Sequence, residues 1–600
     1  MNDENTTEVE YEKGKSRTDV FKEAGSSRVV ASASWTILMA IVGAIMLFIY
    51  QVYAGNAYGE TGGLSYFSIS GAILTLAIAI SIGGGQAFIK FAKEKYTVDG
   101  IEKGKDIIVQ MSKINMILGI IISIIMFIIA FINISDPIFF IILLGAASGI
   151  FISFLRDILV NMFGILNRFD MSAVIGGLYG VIVCIFGFMV IFLNIPAEFL
   201  AFIPTIMISL MMIIAIYFYK QIKTVGFKDL FFAFKKYPIK KKFARKYLIY
   251  SIECAISNLV VFGIFSHIVL LMTFLSYNYW GHLLDFSVSV LNMTQILTLV
   301  DSFVFIEVAI IFFSGPLNVE VSEAYAKNDH DTMEKSINAV GRVGLIVALP
   351  ISLAMVILAP DLILFFARGS VSVGSPAVLS DSLFLQTWMT LAITSFGQAF
   401  YGLACIYGSA LIGSGKAKQA ALGFGLAALI LLITTPIFIF LLGSIDNFLP
   451  IFGVNTYSLI GTGISFLLSG LFILPYLAYK TKKLLTIKYD LRIKQMIICL
   501  MIFGVFLFFA PIEFNALLLQ SLLPFIGFEI LQLLSLILFL FIGILLIFIT
   551  FCFFGVVGSG DGKLIKDTLD SFKLGWIANI FIKIGKFFYR LNPLNKKLNR

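Results

Sequence analysis

Residues 83–106 read GGGQAFIKFAKEKYTVDGIEKGKD. They close an apolar run that begins at Gly63, leave it through three glycines, and pass into an alternation of Phe, Ala and Lys. Glycines at a helix end let a second helix approach closely, and AFIKFAKEK has the make-up of a short amphipathic segment lying on a membrane surface. A second stretch matches it. Residues 314–345, SGPLNVEVSEAYAKNDHDTMEKSINAVGRVGL, also leave an apolar run through glycine and pass through YAKN where the first has FAKE. Both then bend through acidic and polar residues and restart with Glu-Lys, at Glu102-Lys103 and Glu334-Lys335. The two stretches lie six apolar runs apart on the same side, so the chain reads as two parallel repeats related by an axis along the membrane normal.

The composition agrees with a membrane setting: 59% of the 600 residues are hydrophobic and 13% are charged, with a mean hydropathy of +0.98. A hydrocarbon core about 30 Å thick needs roughly 20 apolar residues per helical crossing. Runs of that length fall near 28–53, 63–84, 107–133, 138–160, 171–193, 197–219, 247–275, 294–317, 337–359, 383–410, 420–442, 457–479, 495–515 and 527–552. They are continuous rather than alternating at period two, which predicts helices and not barrel strands. The expected fold is therefore an all-α polytopic membrane protein of about fourteen spans: two six-helix lobes and two C-terminal helices.

Charge gives the orientation. Of the 44 Lys and Arg residues, 43 lie in the terminal tails, in connections after even-numbered spans, or at the adjoining helix ends; Arg368 is the exception. Cytoplasmic loops retain positive charge, so both termini are expected in the cytoplasm. The first 27 residues are polar and mixed in charge, unlike a cleavable signal. The organisation reads as a tail (1–27), an N-lobe (28–219), a basic inter-lobe loop (220–246), a C-lobe (247–479), spans 13 and 14 (495–552) and a tail (553–600). The stretch 219–246 holds ten basic residues and suits anionic membrane lipids rather than nucleic acid. In the last tail Ile565, Leu569, Phe572, Trp576, Ile580, Ile584 and Phe587 recur at helical spacing, an amphipathic helix for the inner membrane surface or for the protein's own inner face. The five cysteines stand singly in apolar runs without metal-ligand spacing.

Ionisable residues inside a bilayer are costly and mark candidate sites. Span 7 holds Glu253, with Ser257 and His267 within about 40° of it on one continuous helix. Span 8 holds Asp301, near Thr294 and Thr298 at the outer mouth, and Glu307 near mid-membrane, about 120° away. Arg28 and Arg156 are the first-lobe cations nearest the inner mouth and the candidates for a phosphate. Arg156 and Asp157 are sequence neighbours, which do not face each other on a helix, so a direct pair is not implied. No Lys or Arg falls mid-span, and the deep charges are acidic.

In order along the chain, YGETGGLSYFSI (58–69), GGGQAFIKFAKEK (83–95), SEAYAKND (322–329), LAPDLILFF (358–366) and GSGKAKQAA (413–421) resemble the polysaccharide-exporter branch of the multidrug/oligosaccharidyl-lipid/polysaccharide (MOP) exporter superfamily. The resemblance implies a V-shaped pair of lobes, alternating access, and flipping of a lipid-linked oligosaccharide or polysaccharide precursor in the cell membrane. It implies no cofactor beyond a coupling proton or sodium ion, no chemistry on the substrate, and glycan-assembly enzymes as partners. A multidrug cation antiporter of the same superfamily would also fit the acidic residues. A polysaccharide polymerase or ligase would need a large outer loop with catalytic Arg and His, where this chain has Arg368, His282 and a few acids.

Overall fold

The computed structural model describes residues 25–58, 62–79, 81, 84–85, 87–92, 101–165, 169–221, 237–257, 264–284, 290–304, 314–366, 381–448, 458–508, 528–556 and 575–591. Among these the ordered elements are all helical. They are α1 (Gly25–Tyr58), α2 (Leu64–Ala77), α3 (Ile101–Ile132), α4 (Pro137–Ile165), α5 (Phe169–Phe192), α6 (Ile203–Gln221, entered through a 3₁₀ turn at Ala197–Phe202), α7 (Lys241–Ser257), α8 (Ile264–Leu284), α9 (Val290–Val304), α10 (Ser314–Ala326), α11 (His330–Phe366), α12 (Asp381–Gly413), α13 (Ala417–Phe448), α14 (Ile460–Leu485), α15 (Ile493–Phe508), α16 (Phe528–Phe553) and α17 (Gly575–Leu591). Nine described helices are long and apolar enough to cross a membrane, and they correspond to expected spans 3–6, 9–12 and 14. Span 1 is α1, span 13 is the shorter α15, span 2 holds α2 and the helical residues 84–92, and spans 7 and 8 are represented by α7 with α8 and α9 with α10.

The two halves pack by one plan. In the first, α1 lies on α5, α2 and α3 on α4, and both α4 and α5 on α6. Six spans later α7 and α8 lie on α13, the pairs α9/α10 and α11 on α12, and both α12 and α13 on α14. This is the pairing order expected of a parallel repeat. The halves meet where α8 and α9 pack on α2 and where α9 and α10 pack on α1. The helix pair α15–α16 is joined to the second half through α11, and α17 lies on α16. A Cβ at Gly585 of α17 would stand 3.2 Å from Cys552 Sγ, so the tail helix lies against the last turn of span 14.

Apolar side chains are on the outside as well as in the core. Ile120, Ile124 and Ile128 of α3, Leu429 and Ile433 of α13, and Leu538 and Phe541 of α16 are all exposed. That is the surface a bilayer rather than water would cover. Inside, buried and half-buried hydroxyls answer neighbouring carbonyls: Ser70 donates to Ala201 at 2.7 Å, Thr205 to Gly145 at 2.7 Å, and Ser469 to Ala427 at 2.7 Å. Without water, each such bond removes a polar group that hydrocarbon would penalise. All five cysteines are buried and unbridged.

A strap crosses the basic end of the third span in each half. After span 6, the Lys240 N–H donates to Gln110 Oε1 at 3.0 Å, Lys240 Nζ meets Asp106 Oδ2 at 3.2 Å, and Lys113 donates to the Tyr237 carbonyl, all on α3. After span 12, Asn338 of α11 donates to Lys488 O at 2.8 Å and accepts from the Asp490 N–H at 3.1 Å, and Arg342 pairs with Asp490 at 3.2 Å. The side chains used sit at Asp106, Gln110, Lys113 and at Asn338, Arg342, the same face at helical spacing in both halves.

Candidate functional site

The two halves are joined by hydrogen bonds at both ends of their contact. At the end away from the basic loops, the buried Gln295 of α9 accepts from the Leu64 N–H at 3.3 Å and donates to the Gly55 carbonyl at 3.2 Å. Ser65 donates to Leu291 O, and Asn56 donates to Phe366 O at 2.8 Å. Thus the last turn of α1 and the first residues of α2 are held by α9 and by the end of α11.

At the basic end the elbow singled out from the sequence makes the contacts. Lys90 Nζ donates to the Tyr250 hydroxyl at 3.2 Å and lies 4.6 Å from the centre of its ring. Tyr250 in turn donates to the Ile412 carbonyl at the end of α12, at 3.0 Å. Three elements, from both halves, therefore meet at one hydroxyl. One helical turn earlier on α7, the buried Tyr247 hydroxyl lies 3.1 Å from the Gly84 carbonyl and 3.0 Å from Asn115 Oδ1. The elbow glycines are closely packed: a Cβ at Gly84 would stand 3.2 Å from Asn115 Oδ1, and one at Gly85 would stand 2.6 Å from Asn161 Oδ1, so either side chain would have to move aside for a larger residue.

Between these ends lie the acidic candidates. Glu253 is partly exposed on α7, one turn beyond Tyr250, and His267 is partly exposed near the start of α8. Both make contacts with neighbouring groups. The expected single stripe of Glu253, Ser257 and His267 needs one uninterrupted helix, and the described residues instead form α7 and α8, with 258–263 outside the description. The side chains of Ser257 and Arg28 and the whole of Glu307 also lie outside it. Asp301 on α9 is partly exposed, and among the described residues no hydrogen-bonding or charged group meets its carboxylate.

Arg156 makes a contact that helix spacing alone does not imply. It does pair with Asp157: Nη2 and Nε lie 2.6 Å and 2.9 Å from Asp157 Oδ1, while Ser81 donates to Oδ2 at 2.9 Å. The rule against neighbouring pairs concerns Cβ directions, and the long Arg stem with its broad guanidinium folds back across one residue. This first-lobe cation is consequently already neutralised. Lys113 is a second departure. It is 1% exposed within α3, where the sequence showed only a helix-end cation, and its ammonium is answered by the Tyr237 carbonyl of the strap. Among the described residues no group of three His, Cys, Asp or Glu is placed to hold a metal.

Intramembrane charge does not mark Gln295, Lys90, Tyr247 and Tyr250, because their contacts between the halves are neutral hydrogen bonds or lie at the membrane edge. The repeat was the available signal for Lys90, which lies inside the first elbow motif.

No family model and no curated protein matches the chain. Solved structures do match its fold. A multidrug-resistance MATE family transporter of the MOP superfamily in an outward-facing conformation aligns with a TM-score of 0.55 and 12% identity, over 78% of this chain and 99% of its own. A MATE protein in complex with MaL6 gives 0.54 and 12%, over 76% and 99%. A MOP superfamily transporter from Pyrococcus furiosus, described by its reversed binding-pocket polarity, gives 0.53 and 12%, over 77% and 99%. This chain is a multi-pass membrane protein with the fold of the MOP-superfamily transporters.

Proposed function

We propose that the protein carries the polar head of a lipid-linked oligosaccharide or polysaccharide precursor from the inner to the outer leaflet of the cell membrane, by alternating access of its two halves. The observation that carries this reading is the α15–α16 pair, docked through α11 on a MOP fold. Solved MATE proteins are covered almost completely by this chain, yet leave about a quarter of it unmatched. Two added C-terminal helices are frequent in the polysaccharide-exporter branch that the sequence resembles, and α15 and α16 would match them. The energetic need is plain: each unsatisfied polar group costs several kcal/mol in hydrocarbon. A glycan head with many hydroxyls thus faces a barrier of tens of kcal/mol, which a wet cleft between rocking halves removes while the lipid tail stays in the bilayer. No bond of the substrate need change.

Orientation with both termini in the cytoplasm follows from the charge asymmetry. Because Arg156 is already paired with Asp157, Arg28 is the remaining inner-mouth candidate for a substrate phosphate. Glycan-assembly enzymes would supply and consume the lipid-linked glycan at the two faces. A second reading, a cation-coupled multidrug antiporter, uses the same group: the Asp301 carboxylate, which meets no partner among the described residues, is suited to a proton or sodium ion that would couple either kind of transport.

Deletion of the gene, with analysis of lipid-linked oligosaccharides and surface glycans, separates the readings. Flipping predicts accumulation of an intact, inward-facing lipid-linked glycan. An unchanged glycolipid profile together with lost drug resistance would transfer the assignment to the antiporter.

A further inference from the structure

We infer that Gln295 is the latch of the outer mouth, holding the two halves closed by gripping the backbone on both sides of the α1–α2 turn. Its carboxamide takes the last-turn carbonyl of α1, Gly55, with its N–H, and the first N–H of α2, Leu64, with its oxygen. Each end of an amide has a fixed sense, so these two partners also fix which way the side chain points. Both Gln295 and Leu64 are fully buried, so neither bond can be exchanged for water unless the mouth opens. Separation of the halves at this end must therefore break both hydrogen bonds of the Gln295 side chain, along with those of Ser65 to Leu291 and Asn56 to Phe366.

The contrast with the basic end gives the latch a role. There Lys90, Tyr250 and Ile412 form a relay across the halves that includes a partly buried cation, whereas among the described residues the outer closure uses neutral groups. The molecule is held in an outward-closed state, and Gln295 sets how much of the population leaves it. The latch rests on the two-half transport reading, but its test requires no substrate.

With the full chain in nanodiscs, Ser68→Cys serves as reporter. Ser68 lies one turn below Leu64, bonds only within its own helix, and is 7% exposed. Reaction with a water-soluble maleimide is read at that position by mass spectrometry, so the five native cysteines can remain. Gln295→Met removes both bonds at nearly constant volume and should speed labelling about tenfold, the change expected from losing two ordinary hydrogen bonds. Gln295→Glu keeps only the acceptor for Leu64 and should fall between. A second reporter, Ser251→Cys on α7 at the basic end, should not speed up. An unchanged rate at position 68, or equal acceleration at both reporters, would overturn the latch. Should Gln295→Met fail to assemble, Asn56→Ala at an exposed position should still give a rise of about threefold at position 68 alone, and no rise overturns the proposal. Faster labelling with an unchanged glycolipid profile on gene deletion would keep the latch and remove the substrate assignment.

Discussion

Arg156 turns its guanidinium onto the carboxylate of the next residue, Asp157, at 2.6 Å, and Ser81 from the end of span 2 holds the other carboxylate oxygen. The two side chains are 15% and 13% exposed, so the pair is only partly hydrated and each charge depends on the other. Asp157→Asn leaves the guanidinium unanswered and should lower stability by about 2 kcal/mol, less than for a fully buried pair because some water remains. Arg156→Gln with Asp157→Asn should cost less than the sum of the singles. Thermal unfolding in nanodiscs across the four proteins checks this, and additive losses would mean that the pair has no coupling.

Helices α1 and α5 approach closely enough to exclude a methyl group. A Cβ at Gly180 would stand 1.8 Å from the Gly43 carbonyl oxygen, whereas one at Gly176, on the same helix, meets nothing within 4 Å. The obstacle at Gly180 is backbone and cannot rotate away. Gly180→Ala should therefore separate the helices at a cost of about 2–3 kcal/mol, while Gly176→Ala should be neutral or stabilising by roughly 0.5 kcal/mol through its helix preference. Equal melting temperatures for the two variants would contradict the packing.

Asp329 caps α11 on the basic side. Its Oδ1 accepts from the Thr332 N–H at 3.0 Å and its Oδ2 accepts from the Thr332 hydroxyl at 2.7 Å. The backbone bond first, and the hydroxyl bond second, hold its carboxyl below the usual carboxylate range. A depressed folded-state pKa means that the stabilisation is complete above the unfolded value and fades as pH falls through the folded one. Asp329→Ala should cost about 1 kcal/mol near neutral pH, and the gap should narrow below about pH 4. Melting both proteins across that range decides it; a constant gap would assign the effect to something other than the ionised cap.

How much of this was legible depended on the kind of force involved. Hydropathy gave the spans because burial in a bilayer acts on whole runs, and the repeat gave the elbow, since Lys90 and Gly84 lie within the matched motif. Span ends were less readable. Span 9 was expected at 337–359, yet α11 runs from His330 to Phe366 through Pro350 and Pro360. Proline inside a spanning helix does not end it when neighbouring groups satisfy the freed carbonyl. The Arg156–Asp157 pair was missed because helical geometry was applied to Cβ positions alone. Gln295 was missed because charge was the criterion, and a neutral amide that bonds backbone from another half leaves no trace in its own sequence neighbourhood.

Asp301 separates a functional residue from a structural one. Its carboxylate is partly exposed in the span region and meets no partner among the described residues. An acidic group kept there costs stability, unlike one held in an ion pair. Asp301→Asn keeps the shape, removes the charge, and should raise stability by about 1 kcal/mol. The same change should reduce restoration of surface glycans in a deletion strain by about tenfold or more, because an amide cannot take up and release a coupling cation. A residue retained for packing would give the opposite pair of results, lower stability with transport preserved. Parallel measurement of melting temperature and glycan export therefore assigns Asp301 without knowledge of which ion it binds.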